Sequence, residues 1–137
     1  MPAVLILDSE AVSVLANPNE RGIAKRRAQA LIAELIRLNG ILRIPAVVLT
    51  ETYRGSTRKV GVDRLLNQGA GVITTGRKLA MKAADLLERD GLNSAHTVDA
   101  CVVATAIAVG RAIIATGDPA DIQALAVEHP NIVIWAL

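Results

Sequence analysis

The chain has no phenylalanine and only one tyrosine and one tryptophan, Tyr53 and Trp135, yet 52% of its residues are hydrophobic. A core without aromatic rings must be assembled from Ala, Val, Leu and Ile, which suits helices lying close on a sheet. There is one cysteine, Cys101, which excludes an intrachain disulfide. Long apolar runs are missing too. The longest are interrupted by Asp99 or Arg111 and stay short of a membrane span. The opening "AVLIL" is too short for the apolar part of a signal sequence and has no basic stretch before it. A cytoplasmic protein with no membrane segment is the expectation. The net charge of +2 says little by itself about partners. At 137 residues, one domain spanning 1–137 is expected, large enough to bury a substantial core.

What is present is an alternation. "AVLIL" (Ala3–Leu7) reads as a buried strand and "SEAVSVLAN" as the helix after it. After a polar break at Asn17–Gly22, the chain from Ile23 reads as an amphipathic helix, with Ile23, Ala30, Leu31, Leu35 and Leu38 near one face and Gly40 as its C-terminal stop. "ILRIP" is the second strand, "AVVLTETYRG" a helix, "VDRLLNQG" a shorter helix and "GVITT" the third strand. Helices follow over Arg77–Asp90 and Thr97–Val109, stopped by Gly91 and Gly110. "AIIAT" is strand four, Pro119–Glu128 a helix and "IVIWAL" strand five. Short, wholly apolar strands alternating with helices predict an α/β fold with a five-stranded parallel sheet flanked by helices on both faces. The chain shows no internal repeat, low-complexity tract or interdomain linker.

The acids fall at telling places in that pattern. Asp8 ends strand one ("LILDSE") and Asp118 follows strand four ("IIATGDPAD"). Both belong to the carboxyl edge of the sheet, where open parallel sheets bind ligands beside the topological switch point. Glu51 lies in the helix after strand two. Asp99 is the only charged residue of "TVDACVVATAIAVG", near the start of a helix that must run antiparallel to strand four. Its first turn is therefore expected at the same edge. Asp121 comes three residues after Asp118.

Each acid also has a local explanation. Asp8 or Ser9 can cap the following helix, Glu51 can be solvated, and Asp99 can favour a helix N-terminus. Asp118 before Pro119, with Asp121 three residues on, resembles an N-cap with its capping-box partner. What these explanations omit is the shared destination. Like charges gathered in one cleft raise each other's pKa, and a cation relieves the repulsion. Oxygen donors without a His or Cys cluster suit Mg²⁺ or Mn²⁺ better than zinc.

In this order, "LILDSEAV", "VVLTE", "TVDACVVATA" and "IATGDPADIQAL" resemble the four acidic motifs of the PIN domain, and within that family the small VapC-type toxins of bacterial type II toxin–antitoxin pairs. The likeness covers essentially the whole chain. It departs in "GDPAD", where many members carry a second basic or aromatic residue near the last acid, and in "LTETYRG", at Thr52 and Tyr53, which leave the substrate-facing side undefined. The resemblance implies a PIN-like three-layer fold and an Mg²⁺- or Mn²⁺-dependent endoribonuclease that hydrolyses RNA through a metal-activated water. Asp8, Asp99 and Asp118 would hold the metal, and Glu51 would hold it or orient the water. Asp121 would act behind them through an outer contact. It also implies a homodimer and a cognate VapB-type antitoxin. The helices from Ile23 and from Thr97, with more apolar surface than one sheet face needs, fit a dimer. The alternatives are a PIN ribonuclease outside any toxin–antitoxin pair, or an inactive PIN-like binding module.

The basic residues fit an RNA substrate. Setting aside the five acids named from the 13 present leaves 8 against 15 Lys and Arg. They cluster at Lys25–Arg27, at Arg54, Arg58, Lys59 and Arg64, and at Arg77 and Lys78. Arg54 and Arg58, closely following Glu51, are the better candidates for phosphate contacts; Lys25–Arg27 reads as a solvated helix face. With so few aromatic rings, base stacking is not the main mode of recognition. Thr116 and Ser9 are minor candidates for orienting ligands or substrate. Cys101 reads as packing, His129 as a loop residue and His96 as a helix-start or surface residue close enough to Asp99 to touch substrate. Phosphoryl-transfer domains with a strand-end Asp are a rival class. They would carry an Asp-x-Asp start or a Lys late in the sheet, and "LDSEA" and "IIATGD" have neither.

Overall fold

Leu5, Ile6 and Leu7 are at most 1% exposed, because their strand is the middle one of the sheet and has helices on both faces. The computed structural model describes residues 2–137. In chain order the elements are β1 (Val4–Leu7), α1 (Ser9–Ala16), α2 (Ile23–Arg37), β2 (Ile41–Pro45), α3 (Val48–Thr52), α4 (Ser56–Asn67), β3 (Gly71–Ile73), α5 (Arg77–Arg89), a 3-10 turn (Ser94–His96), α6 (Thr97–Val109), β4 (Ala112–Thr116), α7 (Pro119–Leu125) and β5 (Ile132–Ala136). The five strands are all parallel, in the order β3-β2-β1-β4-β5. Leu5 pairs with Leu42 on one side of β1 and with Ile113 on the other. From β1 the chain builds outward to β2 and β3, then returns to lay β4 and β5 on the opposite flank. The switch point is thus the crevice between the carboxyl ends of β1 and β4. The α/β class and the parallel sheet expected from the sequence are observed.

Several details differ from the sequence reading. The buried strip of α2 is Ala28, Leu31 and Leu35, while Ile23, Ala30 and Leu38 are exposed. Residues at i, i+3 and i+7 share one face, and α2 needs only that narrow strip to sit on the domain. Its end is a Schellman turn with Asn39, not Gly40, in the left-handed conformation (φ 56). Asn39 N–H donates to Ile36 O at 3.0 Å and Gly40 N–H to Leu35 O at 2.8 Å. The helix expected from Val62 begins earlier, at Ser56. Gly55, at φ +81, supplies the turn before it, and no apolar period marks its first turn. Helices α3 and α7 are shorter than expected, and the 3-10 turn before α6 is additional. The apolar excess of α6 is consumed by the core: Ala100 to Ala106 are all buried. Apolar surface is left over on α2, at Ile23, Ile36 and Leu38. No helix among the described residues is long and apolar enough to cross a membrane.

Helices α1 and α4 cross with almost no side chain between them. A Cβ on Gly61 would lie 2.0 Å from the Ala16 carbonyl oxygen, and backbone cannot yield as a side chain can. Gly61→Ala is therefore expected to destabilise by about 1–3 kcal/mol in urea unfolding, despite alanine's better helix propensity. An unchanged or raised midpoint would show that the two helices part freely.

Candidate metal centre

Asp8 is only 2% exposed at the end of β1. Its Oδ1 accepts the Ala11 N–H at 2.8 Å, which caps α1, and its Oδ2 accepts the Gly117 N–H at 3.2 Å from beyond β4. One carboxylate thus caps a helix and bridges the switch point. Burial raises its pKa, while the Thr116 hydroxyl and the N–H groups of Ala11 and Gly117 pull it down; Asp118 raises it slightly.

Since Asp8 caps α1, Ser9 is free for another partner. Its Oγ donates to Glu51 Oε1 at 2.5 Å, tying the start of α1 to α3. Glu51 is exposed, but it is held beside β1 rather than left loose in solvent.

Asp118 occupies the N-cap position of α7 with Pro119 behind it, yet its side chain makes no capping hydrogen bond. The capping box does not form either, because the Asp118 N–H donates to Thr116 Oγ1 at 2.9 Å. Thr116, fully buried, sits between Asp8 and Asp118 and contacts both. The carboxylates of Asp118 and Asp121 are exposed and free to face the crevice.

Asp99, in the first turn of α6, has its pKa raised to about 6. Burial is the largest cause, followed by the charges of Asp118, Asp8, Asp121 and Glu51. The other four acids singled out in the sequence thus all act on Asp99. Among the described residues no salt bridge reaches any of them; the ion pairs are Glu34–Arg37, Arg89–Asp90 and Arg89–Glu128. A buried-to-exposed fan of carboxylates without a basic partner, in a chain with 15 Lys and Arg, has the donor chemistry that a hard divalent cation needs.

His96 joins the group. An imidazole nitrogen of His96 and carboxylate oxygens of Asp99 and Asp121 lie within 4.8 Å of one another. The sequence left this residue at the margin, and the signal was its position three before Asp99, one turn away on the same face. The arginines are less defined. Arg54 and Arg58 are exposed, and Arg54 Nε donates to Thr50 O at 2.8 Å. Tyr53 OH donates to Asp63 Oδ1 at 3.0 Å, with Lys59 Nζ 5.7 Å from the ring centroid. Lys25 is not simply solvated: it donates to Asn17 O at 2.7 Å and fastens the α1–α2 loop. Cys101 is buried, and burial pushes its thiol pKa up, as expected of a packing residue.

A groove lies elsewhere. It measures ≈ 870 Å³ between α2 and α4, with Leu15, Ile32, Ile36, Leu42 and Leu65 in its walls, and none of the five acids lines it.

The fold is similar to that of a chain in the crystal structure of VapBC2 from Rickettsia felis bound to a DNA fragment from their promoter. Identity is 18%, the TM-score is 0.68, and 98% of each chain is covered. It is also similar to a chain in the structure of FitAB bound to an IR36 DNA fragment, at 17% identity and a TM-score of 0.63, covering 96% of this chain and 94% of that one. No curated protein matches the chain. The family model for the PIN domain matches residues 5–127, which take in nearly all of β1, the strands β2, β3 and β4 and every acid of the cleft but not β5, and the chain belongs to the PIN domain family.

Proposed function

We propose that the protein is a divalent-metal-dependent endoribonuclease and the toxin of a type II toxin–antitoxin pair. The observation that carries the nuclease reading is the set of Asp8, Glu51, Asp99, Asp118 and Asp121 at the switch point with no salt bridge to any of them, where burial and then the charges of the other four raise the Asp99 pKa to about 6. Asp8, Asp99 and Asp118 would hold Mg²⁺ or Mn²⁺, and the bound ion would supply an acidified water and positive charge for the phosphate. Asp8 is fixed by two backbone N–H groups, so it presents a preset oxygen. Glu51, steadied by Ser9, would orient the attacking water. Thr116 holds Asp8 and the Asp118 backbone in register. Arg54 and Arg58 would meet phosphates of a single-stranded or looped RNA.

The toxin reading rests on the likeness to chains of VapBC2 and FitAB, both solved bound to DNA. A VapB-type antitoxin and a second copy of this chain are the partners it implies. The apolar α2–α4 groove is a surface that a protein partner can cover. A cytoplasmic location goes with this reading.

The test is RNA cleavage by purified protein with Mg²⁺ or Mn²⁺, with chelator, and by Asp8→Asn. Cleavage that requires the ion and falls about a hundredfold or more in the variant is expected. Equal cleavage by wild type and Asp8→Asn would mean a contaminating nuclease and would remove the proposal.

A further inference from the structure

His96 is half-exposed, and the turn before it fixes its place. The Ala95 N–H donates to Asn93 Oδ1 at 2.9 Å, which sets the 3-10 turn, and His96 follows directly before the first residue of α6. Although it stands at the N-cap position, its side chain makes no capping bond. No other hydrogen bond to its imidazole is found among the described residues. Its nitrogen instead lies in one group with oxygens of Asp99, from the first turn of α6, and Asp121, from the first turn of α7. All three atoms are within 4.8 Å of each other. Adjacent ligands of a first-row ion stand about 3 Å apart and opposite ligands about 4 Å, given metal–ligand bonds near 2.1 Å. Small side-chain rotations therefore suffice to close a site.

We propose that His96, Asp99 and Asp121 form a mixed nitrogen–oxygen cation site on the flank of the acidic cleft, sharing Asp99 with it, and that this site selects Mn²⁺ and later first-row ions over Mg²⁺. The inference rests on the metal-nuclease reading and narrows it. Carboxylate and water serve Mg²⁺ and Mn²⁺ alike, whereas a neutral imidazole gains affinity along the series from Mn²⁺ onward and offers little to Mg²⁺. The set also changes the role of Asp121 from an outer contact to a ligand. Asp99, standing in both groups, would link occupancy of this site to the geometry of the cleft.

The test uses Mn²⁺ alone as a probe on the full chain, read by electron spin-echo spectroscopy, which detects nitrogen bound to the ion. Wild type should show imidazole nitrogen modulation. His96→Gln should lose it, bind Mn²⁺ about tenfold or more weakly, and bind Mg²⁺ nearly as well as before. His129→Gln, on the chain's other histidine, should keep the wild-type signal. Thermal melts of the apo variants check that both fold. Mn²⁺ bound without nitrogen modulation, or modulation surviving in His96→Gln, overturns the proposal and leaves the nuclease reading standing on Asp8→Asn. No Mn²⁺ or Mg²⁺ binding at all overturns both.

Discussion

Asp99→Asn is expected to leave a firmer apo protein and a nearly dead enzyme. In the wild type, burial and four neighbouring carboxylates oppose ionisation of Asp99, holding its pKa at about 6. At pH 7 the group is ionised nevertheless, and the fold carries that repulsion. An amide of the same shape removes it, so unfolding in chelator should require roughly 1–3 kcal/mol more than for wild type. Cleavage in saturating metal should fall by about two orders of magnitude or more, because charge stabilisation at the phosphate goes with the ligand. Val103→Ala is the control from the same helix. Val103 is fully buried, one turn further along. It should lose about 1–3 kcal/mol and keep most of its cleavage rate. If Asp99→Asn instead loses stability and activity together, Asp99 is a structural helix-start residue. The macrodipole alone would have credited it with only about 0.3–1 kcal/mol of stabilisation.

The acids were legible because the fold class was. Once β1 and β4 are recognised as parallel strands, Asp8 and Asp118 must lie at one edge. The antiparallel run of α6 then brings Asp99 there. His96 is reached only in part, through its spacing of three residues from Asp99. Its approach to Asp121 depends on the 3-10 turn that precedes α6 and on how α7 leaves β4, and neither has a period or a motif in the sequence. Asp118 shows the opposite difficulty. Its sequence context was a complete capping signature, yet Thr116 takes the Asp118 N–H and the cap is not made. A local signature states which bond is available, not which competitor is nearer. Helix α2 was misread for a related reason. Ile23 and Leu38 are as apolar as Leu31 and Leu35, but only the latter two are buried against the domain, and hydrophobicity alone does not say how wide a strip the neighbours cover.

The same crowding of charge should give the apo protein an inverted response to pH, and metal should reverse it. Asp99 has a folded pKa of about 6 against 3.8 for an ordinary aspartate. Between those values the folded state binds more protons than the unfolded state, so stability falls as pH rises through this window and levels off above it. The full span corresponds to at most about 3 kcal/mol, less to the extent that water reaches the half-buried carboxylate. Asp8, whose pKa is also raised, acts in the same direction. Half-buried Asp90 and exposed Glu34, with pKa values lowered by Arg89 and Arg37, act the other way. The comparison that isolates Asp99 is therefore wild type minus Asp99→Asn, in chelator, across pH 4 to 8. Wild type should lose stability relative to the variant as the pH passes through about 6. Divalent metal binds the ionised carboxylates, so protons compete with it. Its stabilisation of wild type should be small near pH 5 and reach about 3 kcal/mol at pH 7, given metal at a hundred times its dissociation constant. The two slopes thus oppose each other: the apo protein weakens with rising pH while the metal-induced shift in melting temperature grows. A wild-type minus variant difference that is flat across this range would mean that Asp99 titrates normally. The carboxylates would then not share one cleft in solution, and the metal centre at the switch point would have no electrostatic basis.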